Sequence, residues 1–124
     1  MEKHRWENRI LIVKTKKEQS EKYQKQIAAF NAATAQLKDR KLVLYQIVGS
    51  SYQLTDYKKV AQKETGELSA EVAELLSEEH PFEVILIGLD GGIKLQKTDL
   101  LTKEELFNRI DSMPMRRAEL KNRN

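Results

Sequence analysis

"FEVILIGLDGGIKLQ", Phe82 to Gln96, sets two apolar runs on either side of Asp90-Gly91-Gly92. Val84, Ile85, Leu86 and Ile87 are continuous, the pattern of a strand buried on both faces. Ile93 and Leu95 alternate with Lys94 and Gln96, the pattern of a half-exposed strand. Asp90-Gly91 or Gly91-Gly92 between them predicts a β-hairpin, because a type I′ turn needs positive φ at both central positions. A glycine pair can also cradle a ligand. Here no Gly-Lys-Ser/Thr follows it, and the acidic spacing of a calcium loop is missing. Asp90, Gly91 and Gly92 are therefore read as turn residues.

Further toward the N-terminus, "RILIVKT" (Arg9–Thr15) is a β-branched run closed by charges, a second strand buried on both faces. Tyr23, Ile27, Phe30, Thr34 and Leu37 then recur at steps of three and four, which predicts one helix of about 20 residues ending near Asp39. "KLVLYQIV" (Lys41–Val48) is again a continuous apolar strand. Strand, helix and strand make a βαβ unit with a right-handed crossover and parallel strands. The polar stretch from Gly49 to Glu67 has no clean period and predicts a loop with one short element. Ser69 caps a helix with Val72, Leu75 and Leu76 on its apolar side, and Pro81 stops it. After the hairpin, Thr102 and Glu105 form a capping box ahead of Leu106, Phe107, Ile110 and Met113. Pro114 ends or bends that helix. Residues 1–114 are thus one domain, and 115–124 a basic C-terminal tail that could add one more helical turn.

A βαβ half followed by a ββα half is the thioredoxin-like plan: an α/β fold of three layers, α/β/α, on a mixed sheet of four to five strands. The length of 124 residues, with 40% hydrophobic and 33% charged side chains, suits one globular domain with a heavily charged surface. No apolar run is long enough to span a bilayer, and "MEKHRWENR" is not a signal peptide. Location stays open: periplasmic or secreted if a leader has been removed, otherwise cytoplasmic. The net charge of +3 hides an asymmetry, with +7 in the first 62 residues and −4 in the rest. The basic half could attract a polyanion. Its lysines are interleaved with glutamate and glutamine, though, and no aromatic stripe accompanies them for base stacking, so nucleic acid is disfavoured as a partner.

Cysteine is absent, which excludes disulfides, thiol nucleophiles, thiolate metal sites and dithiol redox chemistry. His4 and His80 lie far apart without a third ligand nearby, so both are read as solvated imidazoles, with no metal and no cofactor expected. Trp6 and Tyr23 are read as packing residues, and Tyr45, Tyr52 and Tyr57 as able to rim a groove. Glu78-Glu79 and Glu104-Glu105 are adjacent, so each pair points to different helix sides and makes a poor acid/base couple.

"LIGLDGGIKLQ", followed after a helix by "IDSMPMRRAE", resembles the signature of an uncharacterised thioredoxin-like family. That family includes small bacterial proteins, often secreted. It also includes repeated peroxiredoxin-like domains, called P-DUDES, in vertebrate extracellular coiled-coil-domain and sushi-repeat proteins. "WENRILIV", Trp6 to Val13, resembles the family's opening strand, and Met113 to Arg117 match its Met-Pro-Met-Arg-Arg element. Leu89 departs from it, standing where the family motif has lysine.

The resemblance implies a fold more than an activity. On a redox-active thioredoxin scaffold the attacking cysteine follows the first strand, where a helix N-terminus stabilises the thiolate. The matching stretch here, "KTKKEQSEKY" (Lys14–Tyr23), has none, and the hydroxyls of Thr15 and Ser20 cannot replace it. Pro81 either corresponds to the family's cis-proline or is a trans residue that ends a helix. Met113, Pro114, Met115, Arg116 and Arg117 likewise carry two readings. They are a helix stop with arginines solvated or paired to acids such as Asp111, or an element that docks a partner's carboxylate or phosphate. The expectation is a non-catalytic interaction module whose partner is another protein. The alternatives are a thiol-independent enzyme using Asp90, Asp111 and the arginines, and a weak polyanion binder.

Overall fold

Seven consecutive buried residues, Arg9–Thr15, make β1, the strand on which the sheet is built. The computed structural model describes residues 4–17, 19–57, 63–76 and 80–121. After β1 come α1 (Glu21–Asn31), α2 (Thr34–Asp39), β2 (Leu42–Val48), β3 (Ser51–Asp56), β4 (Lys63–Glu67) and α3 (Ala70–Leu75). The chain continues with β5 (Phe82–Ile87), β6 (Ile93–Lys97), α4 (Lys103–Asp111) and α5 (Pro114–Lys121). The six strands lie in the order β4-β3-β2-β1-β5-β6. β1 pairs β2 in parallel, Arg9 opposite Leu42 and Thr15 opposite Val48, and pairs β5 antiparallel, Ile10 opposite Ile87. Every other neighbouring pair is antiparallel.

Alternation along the strands divides the core in two. Leu11, Val13, Leu42, Leu44, Val84 and Leu86 face Tyr23, Phe30, Leu37, Leu106, Phe107 and Ile110 of α1, α2 and α4. Ile10, Ile12, Val43, Tyr45, Ile47, Ile85 and Ile87 form the opposite face, where Leu68 and Leu76 on either side of α3 pack. The fold is therefore the expected α/β arrangement with helices on both faces of a mixed sheet. The side chains of Val72 and Leu75, and the Glu78-Glu79 pair, lie outside the described residues.

Three expectations need correction. The sheet has six strands rather than four or five, because part of the stretch from Gly49 to Glu67 forms β3 and β4. Gly49, at φ 62, opens a two-residue turn between paired Val48 and Ser51, the position glycine takes in a II′ hairpin. The single long helix is two, broken at Ala32 and Ala33. The break moves the buried stripe by one residue, so Ala33 is buried and Thr34 is exposed. Beyond Met113, where the sequence allows for a basic tail with one more helical turn, Pro114 opens the eight-residue α5, the position in which its missing N–H costs nothing.

The hairpin turn also differs in type. Gly91 N–H donates to Gly88 O at 3.0 Å, which places Leu89 and Asp90 at the centre of the turn. Gly91, at φ 85, is the left-handed residue that follows, so positive φ is needed at one position and not two. A Cβ at Gly88 would come within 2.6 Å of Lys94 Cε, the flexible end of that side chain, so Lys94 would have to shift to make room.

Candidate functional site

The two ends of β1 carry different chemistry, and about 20 Å of extended strand separates them. At its C-terminal end Thr15, Lys16, Lys17, Gln19, Ser20, Lys22, Pro81 and Phe82 line a cavity of about 510 Å³. The hydroxyls there serve the backbone. Thr15 Oγ1 donates to Lys17 O at 2.9 Å, and Ser20 Oγ accepts from Tyr23 N–H at 3.4 Å as the N-cap of α1. Pro81 lies beside this junction, its carbonyl accepting from Lys16 N–H at 3.1 Å, and its peptide bond is trans. Nucleophilic thiol chemistry has no group to run on here.

The N-terminal end of β1 holds a buried ion-pair network. Arg9 and Arg116 are each 1% exposed, so each charge must be matched where it lies. Arg9 Nη2 donates to Glu119 Oε2 at 3.1 Å, and its Nη1 donates to Arg40 O at 2.8 Å. Arg116 donates to Asp39 Oδ2 at 2.8 Å, to Asp111 Oδ1 at 3.1 Å and to Glu119 Oε1 at 3.3 Å. Arg40 completes it, donating to Asp111 Oδ2 at 2.9 Å while its guanidinium lies 4.1 Å from the centre of the Phe107 ring. Guanidiniums of Arg9, Arg40 and Arg116 thus balance carboxylates of Asp39, Asp111 and Glu119. Burial pushes the Asp111 and Glu119 carboxyls up, but their arginine partners outweigh it and hold both below the ordinary carboxylate range. The network ties α5 to the last residues of α2 and α4 and to the start of β1.

That anchorage brings the two sequence motifs together. Gly88, Leu89 and Asp90 of the turn, with Lys94, face Ser112, Met113, Pro114 and Met115 across a cavity of about 450 Å³ to which Arg9 and Arg109 also contribute. Asp90 is occupied by its own turn: its carboxylate accepts from Gly92 N–H at 2.9 Å and Lys94 Nζ at 3.0 Å. The Gly92 N–H and then Lys94 hold its pKa below the usual value, which makes it a weak base. Met113 packs against the core, Met115 is exposed, Arg116 is buried in the network, and Arg117 is exposed.

Other residues sit elsewhere than expected. His4 is buried, not solvated: its Nδ1 accepts from Asn8 Nδ2 at 3.1 Å, so Nε2 carries the proton and donates to the Tyr45 hydroxyl at 2.8 Å. His80 is exposed, and the His80 carbonyl accepts from Lys14 Nζ at 2.7 Å. Among the described residues no cluster of His, Asp and Glu has the arrangement of a metal site. Of the tyrosines read as groove residues, Tyr45 and Tyr52 share the face on which Leu68 and Leu76 pack, their ring centres 5.6 Å apart, while Tyr57 packs against the core on the α1 and α4 side. Trp6 does not pack. It is 60% exposed. Gln26, on what reads as the polar side of α1, is buried and exchanges two hydrogen bonds with the Leu101 backbone at 2.7 and 2.8 Å.

No helix of the described residues is long and apolar enough to cross a membrane. Residues 1–119 match a family model described as Domain of unknown function (DUF4174). Neither a curated protein nor a solved structure matches the chain.

Proposed function

The chain belongs to the DUF4174 family, a domain of unknown function, and on that premise we propose that it is a non-catalytic binding module on a thioredoxin-like scaffold. The strand order β6-β5-β1-β2, parallel only between β1 and β2, supports that scaffold, with β3 and β4 added beyond it. One observation carries the reading. The junction of β1 and α1, where such a scaffold holds its thiol, presents Thr15, Lys16, Lys17 and Ser20, and the two hydroxyls are spent on backbone bonds. The partner is another protein. Met113, Pro114 and Met115 form the contact element, Arg116 holds them in place, and exposed Arg117 is available beside them.

The thiol-independent enzyme finds little support. Asp90 and Asp111 are each held ionised by cations, and neither is paired with a second group poised to exchange a proton. A polyanion site has one observation in its favour, the lysines 16, 17 and 22 lining the cavity at the β1–α1 junction. Lys22 is partly taken up by Asp99 at 3.2 Å.

Consumption of hydrogen peroxide with a dithiol reductant tests the reading. The expected rate equals that of buffer. Turnover that scales with protein concentration contradicts it, and retention on heparin that fades with salt promotes the polyanion alternative.

A further inference from the structure

Trp6 breaks two rules at once. It is largely exposed, and its backbone sits at φ 69, a left-handed conformation that bulky L residues rarely adopt. The strain is held by a hydrogen bond from Trp6 N–H to Leu89 O at 2.6 Å, which ties this segment to the hairpin turn. Two other large apolar side chains exposed to solvent border the same turn. Ile93, 46% exposed, begins β6 directly after Gly92, and Met115, 42% exposed, shares the 450 Å³ cavity with Leu89. Three separate parts of the chain, each with an exposed apolar side chain, therefore meet at the hairpin turn.

Basic side chains surround the turn. A Cβ on Gly91 would come within 3.0 Å of the Arg5 guanidinium, so Arg5 lies against the turn. Arg109 and Lys94 line the cavity. Among the described residues no acid pairs with the Arg109 side chain, and the acid in the lining, Asp90, is already engaged by Lys94 and Gly92. Exposed tryptophan, methionine and arginine are the side chains enriched where proteins meet.

We propose that this end of the molecule is a docking surface for an extended protein segment that alternates apolar side chains with carboxylates. An apolar side chain of the segment enters the cavity between Leu89 and Met113–Met115, where flexible methionines adapt to its shape. Neighbouring carboxylates meet Arg109. A small molecule is a poorer occupant, because one that filled the cavity would leave Trp6 and Ile93 outside it and still wet. A membrane surface is poorer too, since a bilayer covers exposed side chains but does not reach into a cavity. The proposal deepens the binding-module reading and rests on it, naming the face and the chemistry of the partner.

The probes are fluorescein-labelled decapeptides of alternating Leu and Asp, Leu and Lys, or Ser and Asp, with phosphatidylglycerol vesicles as a fourth, each titrated with the full chain. The Leu/Asp peptide should bind about tenfold or more tightly than either other peptide. Trp6→Ala and Met115→Ala should each weaken it by about tenfold without lowering the melting temperature, since both side chains are exposed. Arg109→Ala should weaken it and flatten its salt dependence. Equal binding of the Ser/Asp peptide, preferential partition onto vesicles, absence of Leu/Asp binding at millimolar concentration, or indifference to Trp6→Ala and Met115→Ala overturns the proposal. Peroxidase turnover contradicts the non-catalytic reading but leaves this surface untouched, so the two failures are distinguishable.

Discussion

Arg116 and Arg117 are neighbours in sequence and opposites in consequence. Arg116 is 1% exposed and is the shared partner of Asp39, Asp111 and Glu119, whereas Arg117 points to solvent. Removing one member of a buried charge cluster leaves the others uncompensated in low dielectric, at a cost of about 3–5 kcal/mol. Removing an exposed charge changes stability by about 0.5 kcal/mol or less. Arg116→Ala should therefore lower the urea midpoint severely while Arg117→Ala leaves it in place, and equal effects in chemical denaturation contradict the network's role. The sequence offers two adjacent arginines after a proline and no means of telling them apart. Which one turns inward depends on where α5 begins, and Pro114 reads equally as a stop or a start. Trp6 and Gln26 escape for the same reason: exposure of an indole and burial of an amide are tertiary outcomes against residue type.

At the scale of elements, legibility follows how much apolar pattern each element carries. β1, β2 and β5 are buried on both faces and show as continuous apolar runs, and α4 announces itself by Thr102, whose side chain accepts from Glu105 N–H at 3.1 Å. β3 carries a readable sign, since Gly49-Ser50 separates two β-rich runs by the spacing of a tight hairpin. β4, "KETGE", carries none. It is an edge strand without an apolar side chain, and its place in the sheet comes from pairing with β3, Gln53 opposite Thr65. The candidate site was half legible. Both motifs that form it stand out in the sequence, but their meeting across one cavity depends on the ion pairs that hold α5, which link residue 9 to 119 and residue 39 to 116.

For the whole molecule, those ion pairs also set the response to acid. Asp111 and Glu119 have folded pKa values below their ordinary 3.8 and 4.5, so the unfolded chain takes up protons first as pH falls. Their contribution is therefore complete above the ordinary carboxylate range and is lost as pH drops through the lower folded values. Thermal melts should show a melting temperature that declines below about pH 4, with a shallower decline in the Asp111→Asn, Glu119→Gln double variant measured against its own neutral-pH value. An identical slope in both proteins places the acid sensitivity elsewhere.

On the proposed reading the β1–α1 junction and the hairpin-turn end are distinct, and the hairpin-turn end is the one that recognises a partner. Amide shift mapping of the ¹⁵N-labelled full chain with the alternating Leu/Asp decapeptide tests that division most directly. The account predicts shifts at the amides of Trp6, Leu89, Ile93 and Met115, around the hairpin turn and the start of α5. Shifts confined to Lys16, Lys17, Ser20 and Lys22, at the β1–α1 junction, would contradict it.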